Sequence, residues 1–338
     1  MKRLLSLILV LALVFALAGC TQETVQTSSS ASAGNYPVTI TDQAGREVVI
    51  EKEPQRLVSC YYITTSLLLA LDLDEVMVGI EDNPDFRPVY ARSNPKLLEL
   101  PWVGTAKTLD LEGCAALEPD LVILPLRLKD SAAVLEELGI DVLLVNPERQ
   151  ELLTEMIEIV AAAANREEKA EELLKFLSEQ EQRLQELLAG VEMPRVYLSG
   201  NSNFLSTAGN AMYQSDMLRL AGASNVAADI PDTYWAEIDY EQLLAWDPEY
   251  IILASSAKYT VEDVLSDPNL AACTAVQKKN VFQIPCDAES WDSPVPGSVL
   301  GAVWLAGVLH PDKVPADQCA EIMDAYYETF YGFTYTQN

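Results

Sequence analysis

Residues 165–190 read NREEKAEELLKFLSEQEQRLQELLAG. Apolar side chains at Ala170, Leu173, Leu174, Leu177, Leu184, Leu187 and Leu188 recur at spacings of three, four and seven, and Glu, Gln, Lys and Arg fill most other positions. That is the pattern of one helix with a single buried stripe. Its ends agree: Asn165 suits an N-cap, Glu168 stands where a capping box needs its acid, Glu167 and Glu168 favour the positive end of the dipole, and Gly190 suits the left-handed residue past the last turn. At 1.5 Å per residue the helix spans roughly 36 Å.

The sequence on either side gives this helix a role. Residues 110–124 read DLEGCAALEPDLVIL and residues 239–253 read DYEQLLAWDPEYIIL. They align without a gap, Asp110 with Asp239, Glu112 with Glu241, Ala116 with Ala245, Pro119 with Pro248 and Leu124 with Leu253. Each copy is a short amphipathic helix, an acidic-Pro turn and an apolar run fit for a buried parallel strand. The expected fold is therefore α/β: two Rossmann-like lobes with central, mostly parallel sheets, joined by one long α-helix. The lobes are expected at 37–164 and 191–338, with the connecting helix at 165–190.

The chain has 338 residues and a net charge of −29. Met-Lys-Arg, an apolar run from Leu4 to Leu17 and then Leu17-Ala18-Gly19-Cys20 form a secretory leader over 1–19 with a small-residue cleavage site. The run is too short to span a bilayer, which takes roughly 20 apolar residues. Cys20 after that site resembles a bacterial lipobox, which implies cleavage before it and lipid on it. Residues 20–36 then form a lipidated cysteine and a Ser/Thr/Gln-rich flexible tether. Loss of Lys2 and Arg3 with the leader takes the charge from −29 to −31. Nucleic acid would be repelled, and no basic stripe offsets this.

Five cysteines remain, Cys60, Cys114, Cys273, Cys286 and Cys319; they lack Cys-x-x-Cys spacing and an odd count cannot pair completely. Cys60 and Cys286 each follow a strand where a cleft would open. The single histidine, His310, ends an apolar helix before Pro311, so a multi-histidine metal site is excluded, and no Gly-x-Ser-x-Gly elbow accompanies it. No Gly-x-Gly-x-x-Gly or Walker loop is present, so no nucleotide cofactor is called for. Along the chain, a hairpin is expected at 37–50, strands at 56–60, 75–80, 142–145, 195–199, 251–253 and 281–285, and helices at 64–71, 131–138, 150–164 and 214–220. Residues 102–105 are expected to return to the first sheet, and helices 299–309 and 316–330 to cover the second.

Open α/β sheets bind ligands in the loops after their strands. In the first lobe those loops carry Tyr61, Tyr62, Phe86, Arg87, Tyr90, Thr105, Lys107 and Arg127. In the second they carry Asn201 to Asn203, Tyr213, Tyr234, Trp235, Ser255, Ser256 and Glu289-Ser290-Trp291-Asp292. Aromatic faces with a few donors suit a bulky, partly apolar ligand. Trp291, in a polar loop before Pro294, leads this set.

The stretches VILPL, STAGNAMYQSDMLRLAGASNVAAD, YWAEIDYEQLLAWDPEYIIL and SWDSPVPGSVLGAVWLAGVLHPDK, with the lipobox and the single connecting helix, resemble ABC-importer substrate-binding proteins of the ferric-siderophore, haem and cobalamin type, the class with a helical backbone. The resemblance implies a monomeric, membrane-anchored binding protein that holds one metal chelate between its lobes and hands it to a permease dimer, with no catalysis and no cofactor. It implies that Glu112 and Glu241 dock onto permease arginines and that Trp235 and Trp291 face the ligand. Thr105 and Lys107 occupy the first-lobe loop where some relatives carry an aromatic, against cobalamin. Arg87, Arg127 and Lys107 would neutralise an anionic chelate, or a molybdate or tungstate oxyanion in relatives that carry one. An exported chelatase-like enzyme on the same frame, using Cys60, Cys286, Glu289 or Asp292, is the alternative of another class.

Overall fold

The computed structural model describes residues 36–231 and 235–337. The leader, Cys20, most of the tether and Tyr234 lie outside them. The first half opens with an antiparallel hairpin, β1 (Val38–Thr41) and β2 (Glu47–Ile50), closed at its turn by Asp42, which accepts the amides of Ala44 and Arg46 at 3.0 Å each. Then come β3 (Leu57–Ser59), α1 (Tyr62–Ala70), β4 (Met77–Gly79), α2 (Pro88–Ser93), β5 (Gly104–Thr105), β6 (Thr108–Leu109), α3 (Leu111–Ala116), β7 (Leu121–Pro125), α4 (Lys129–Glu137) and β8 (Asp141–Val145). The sheet runs β4-β3-β7-β8, all parallel. Its central strands are apolar almost throughout because both faces are covered.

Residues 102–105 do not return to that sheet as a strand. Trp102 makes a single parallel bridge to Ile80, and β5 turns back on β6. Gly104 decides this: its φ is +110°, and a Cβ there would lie 2.2 Å from the Thr108 carbonyl oxygen.

Two helices follow in tandem, α5 (Gln150–Ala164) and α6 (Glu167–Leu187). Asn165 is not the N-cap of α6. It sits in the left-handed region at φ 55° and terminates α5, and Arg166 precedes α6 with no side-chain cap. An Asn suits either role, and the unbroken run of α5 settles which. Ala170, Leu173, Leu177 and Leu184 form the buried stripe, Leu188 is buried just beyond the helix, and Leu174 and Leu187 are partly covered. The 21 residues of α6 span roughly 32 Å.

The second half contains β9 (Arg195–Ser199), β10 (Ser206–Thr207), α7 (Tyr213–Leu220), β11 (Ser224–Asn225), β12 (Ala236–Glu237), α8 (Tyr240–Trp246), β13 (Tyr250–Leu253), α9 (Val261–Ser266), α10 (Thr274–Gln277), β14 (Val281–Gln283), α11 (Val299–Leu309) and α12 (Ala316–Tyr331). β9, β13 and β14 form a parallel centre, with antiparallel β10 and β12 beyond β9 and a short β11 also pairing with β9. The repeated unit holds in three dimensions. Asp110 caps α3 through the Gly113 amide at 3.0 Å, Asp239 caps α8 through the Gln242 amide at 2.7 Å, and Glu118 and Asp247 take left-handed φ of 47° and 44° at matching turns.

The last helix goes elsewhere than expected. α12 packs on α11 and reaches across to α1 and α2, so one apolar core runs from Leu67 and Leu68 through Leu173 and Leu177 to Val303 and Tyr326. The Tyr331 hydroxyl donates to the Ser66 carbonyl at 3.1 Å. Beyond it, Arg92 donates to the carbonyls of Thr334, Tyr335 and Gln337 at 3.0, 3.2 and 3.1 Å and lies 4.2 Å over the Phe333 ring. Among the described residues no helix is long and apolar enough to cross a membrane.

Candidate functional site

The loops at the carboxyl ends of the two sheets face each other. The turn from β3 into α1 presents Tyr62 and, one helical turn on, Ser66; the loop after β4 presents Arg87. From the other half, the loops after β13 and β14 bring Ser256, Cys286, Glu289 and Ser290. These residues line a cavity of about 150 Å³. The Arg87 guanidinium lies 4.0 Å over the Tyr62 ring, a cation–π contact that fixes its direction. Along the wall the Val89 amide donates to the Ala288 carbonyl at 3.2 Å, a main-chain bond between the halves. The lining residues thus carry one guanidinium and four hydroxyls, of which Ser66 meets Glu289 and Tyr62 meets Ser293.

Three carboxyls are buried around it. Glu81 accepts the hydroxyls of Thr65 and Tyr90, both at 2.6 Å; burial pushes it up, against those bonds and Arg87, which pull it down. Asp292 accepts the Ser255 hydroxyl at 2.6 Å and its amide at 3.1 Å, and burial again pushes it up. Glu289 accepts Tyr327 at 3.1 Å and Tyr331 at 3.3 Å; burial pushes it up to about 7, against the hydroxyls of Ser66, Tyr327 and Tyr331.

Of the residues that the sequence places in these loops, Tyr62, Phe86, Arg87, Ser256, Glu289 and Ser290 meet at this cavity, and three aromatics are buried away from its lining. Trp291 is only 1% exposed: its indole N–H donates to Tyr327 at 2.9 Å and its ring packs 5.4 Å from Tyr335. Tyr90 is buried with its hydroxyl on Glu81, and Tyr213 is buried with its hydroxyl on the Ser298 carbonyl at 2.9 Å. Each is an aromatic whose polar tip is satisfied inside the core, so none offers a free face. α12, folded over the Trp291 loop, is what closes that position. Tyr61 is buried edge-on against Tyr62 at 5.5 Å.

Other expected residues stand outside the cavity lining. Thr105 and Lys107 are exposed on the β5–β6 hairpin. Arg127 is exposed and 3.8 Å from Glu148. Trp235 is half-buried over Gly200, where a Cβ would approach its ring to 3.0 Å. Glu112 and Glu241 are exposed in the first turns of α3 and α8, and Glu241 shares an open groove of about 780 Å³ with Asp229, Glu237, Asp239 and Trp246. Cys60 and Cys286 do not pair; Cys60 is buried and Cys286 exposed. The His310 ring sits 3.1 Å from the Gly222 carbonyl at the end of α11. Among the described residues no three of His, Cys, Asp and Glu are grouped to hold a metal ion.

Ser66, Glu81, Tyr327 and Tyr331 join the site although none is among the loop residues that the sequence points to. Glu81 had a signal, an acid directly after an apolar strand; Tyr327 and Tyr331 had another, one helical turn apart on a face that must be buried.

The chain is 26% identical over 323 residues to the molybdate-binding protein MolA of Haemophilus influenzae, covering 88% of this chain and 91% of that protein. The structure of MolA bound to molybdate superposes with a TM-score of 0.79, covering 88% of this chain and 99% of that one. YvrC of Bacillus subtilis, an uncharacterized ABC transporter substrate-binding lipoprotein, is 27% identical over 88% of this chain and 93% of its own. The vitamin B12-binding protein of Salmonella choleraesuis is 31% identical over 50% of this chain and 64% of its own. These relatives are solute-binding proteins, and the chain is a binding protein rather than an enzyme. With the family described as "Periplasmic binding protein" matching residues 57–288, two α/β halves on one helix and a cavity between their strand ends, the chain belongs to the periplasmic binding protein family.

Proposed function

We propose that the cavity takes a tetrahedral oxyanion of the molybdate and tungstate class, which the protein delivers to an ABC permease. The size of the cavity carries this reading. At about 150 Å³ it falls well below the roughly 300–1,000 Å³ of sites for larger organic ligands, so an oxyanion suits it and a siderophore, haem or corrin does not. Arg87 supplies charge-assisted bonds, and the hydroxyls of Ser256 and Ser290 supply further donors to the oxygens. The likeness to MolA supports the same ligand class. Calorimetric titration with molybdate and tungstate tests it: saturable binding is expected at micromolar concentration or below, weakened at least about tenfold in Arg87→Ala, on the scale of one charged hydrogen bond. Saturation by a ferric siderophore, haem or cobalamin, with no response to either oxyanion, overturns it.

A metal chelate is the second reading, favoured by the vitamin B12-binding relative and by Thr105, Lys107, Arg127 and Trp235, which would line a wider cleft if the lobes at 37–164 and 191–338 moved apart about residues 165–190. Delivery includes two further parts of the proposal. Cys20 carries the lipid that holds the protein at the outer face of the cytoplasmic membrane, supported by Leu17-Ala18-Gly19-Cys20 and by the lipoprotein description of YvrC. Glu112 and Glu241, matched in the repeat and exposed, dock onto the permease.

A further inference from the structure

We infer that the oxyanion is captured together with one proton, which sits on Glu289 in the cavity wall. The inference rests on the oxyanion reading and adds the form in which the site accepts its ligand. Glu289 and Arg87 line the same cavity, and Arg87 is the one cation in that lining. With Glu289 ionised the two charges cancel and a dianion meets no net attraction. With Glu289 neutral the cavity wall keeps a full positive charge.

The hydrogen bonds around Glu289 accommodate either state. The Tyr331 hydroxyl has a single proton and two acceptors within reach, the Ser66 carbonyl at 3.1 Å and Glu289 Oε1 at 3.3 Å. When Glu289 is ionised, that proton points to the carboxylate. When Glu289 is protonated, the tyrosine turns to Ser66 and its oxygen accepts from the acid. Tyr327 meanwhile keeps the Trp291 N–H at 2.9 Å on its own oxygen and can still donate to Glu289 Oε2 at 3.1 Å. The Glu289, Tyr327 and Tyr331 oxygens keep a partner in either state.

The titratable and charged groups facing Glu289 are Tyr326, Tyr327 and Tyr331 from α12, Tyr62 from α1, Arg87 from the loop before α2, and Cys286, Asp287 and Asp292 from its own loop. The tyrosines that adjoin it are all driven up by burial and stay neutral, and burial pushes Glu289 itself up to about 7. A proton on Glu289 near neutral pH therefore needs no other donor than the solvent.

Calorimetric titration of the purified protein with molybdate and with tungstate, from about pH 5.5 to about pH 8.5 in two buffers of different ionisation enthalpy, reads both the affinity and the protons taken up. Expected are a constant affinity at the acid end, a fall approaching tenfold per pH unit above about 7, and uptake of close to one proton at the alkaline end. In Glu289→Gln, a neutral isostere, the fall and the uptake disappear. Oxyanion binding that is flat with pH in the unaltered protein overturns this inference and leaves the oxyanion reading standing. A fall that persists unchanged in Glu289→Gln places the proton elsewhere and also overturns it. Absence of oxyanion binding at every pH overturns the ligand reading and this inference with it. The proton count on the unaltered protein decides alone should Glu289→Gln fail to fold.

Discussion

Arg56 and Arg195 make equivalent bonds in the two halves. The Arg56 side chain donates to the carbonyls of Leu117 and Glu118 at the end of α3, and the Arg195 side chain donates to the carbonyls of Trp246 and Asp247 at the end of α8, pairs related by the same offset as Asp110 and Asp239. Each arginine enters the sheet beside its helix, and its own carbonyl in turn accepts an amide from the segment leading into β7 or β13, Asp120 in one half and Glu249 in the other. A cation on the last carbonyls of a helix answers its dipole and its unpaired acceptors together. Arg56→Ala and Arg195→Ala should therefore each cost about 1 kcal/mol, by similar amounts, since both side chains are exposed. Urea unfolding of the two variants checks this; a several-fold difference between them would break the equivalence.

Stability should fall as pH rises from about 4.5 to about 7, with Glu289 a named contributor. Below its ordinary 4.5 the carboxyl is neutral both folded and unfolded; between 4.5 and about 7 the unfolded chain ionises while the folded one does not, and above about 7 the loss is complete. The difference is on the order of 3 kcal/mol. Glu81 and Asp292, also pushed up by burial, add losses of the same sign. Unfolding midpoints followed across this range should fall more steeply for the unaltered protein than for Glu289→Gln, and parallel curves would remove Glu289 from the account.

Trp291→Ala should act on the fold. Removing a buried indole with its N–H paired leaves a large cavity and takes the donor from the Tyr327 oxygen, so a loss of roughly 3–5 kcal/mol is expected in chemical denaturation. Trp291→Phe, which keeps most of the volume and loses the hydrogen bond, should cost about 1–2 kcal/mol. Near-neutral stability in both would return Trp291 to the list of ligand-facing residues.

The charge-reversal pair Glu112→Arg and Glu241→Arg should leave ligand affinity unchanged, because both glutamates are exposed and outside the cavity lining, and should cost only about 0.3–1 kcal/mol each in unfolding, for a cation placed at the amino end of α3 or α8. Uptake of labelled ligand by cells carrying the double variant should be lost. Normal uptake would remove both residues from the permease contact.

What the sequence makes legible is whatever local chemistry decides. α5, β9 and α11 have the bounds read from the sequence, 150–164, 195–199 and 299–309, because period and terminal signals lie within each segment. Asn165 illustrates the opposite case, since one residue suits the end of α5 and the start of α6 and only the tandem packing chooses. Trp291 fails differently: its loop is polar in sequence, yet α12, arriving from far along the chain, buries it. In the cavity, Tyr62, Arg87 and Ser290 are legible as residues of loops after strands. Ser66 becomes visible only when the opposite half brings Glu289, and Glu289 gains its setting only from the tyrosines of α12.

The fastening of the last residues onto the first half sets the order in which the molecule can be completed. Ser66 and Tyr331 are 265 residues apart, and Arg92 waits for carbonyls more than 240 residues downstream. A nascent chain emerging from its amino end thus carries the face of α1 uncovered until α12 has been made, and contacts of such separation close late and slowly. The core stays incomplete until α12 has been made, and a chain stopped before Tyr331 would lack the anchor that ties α12 to α1 and α2.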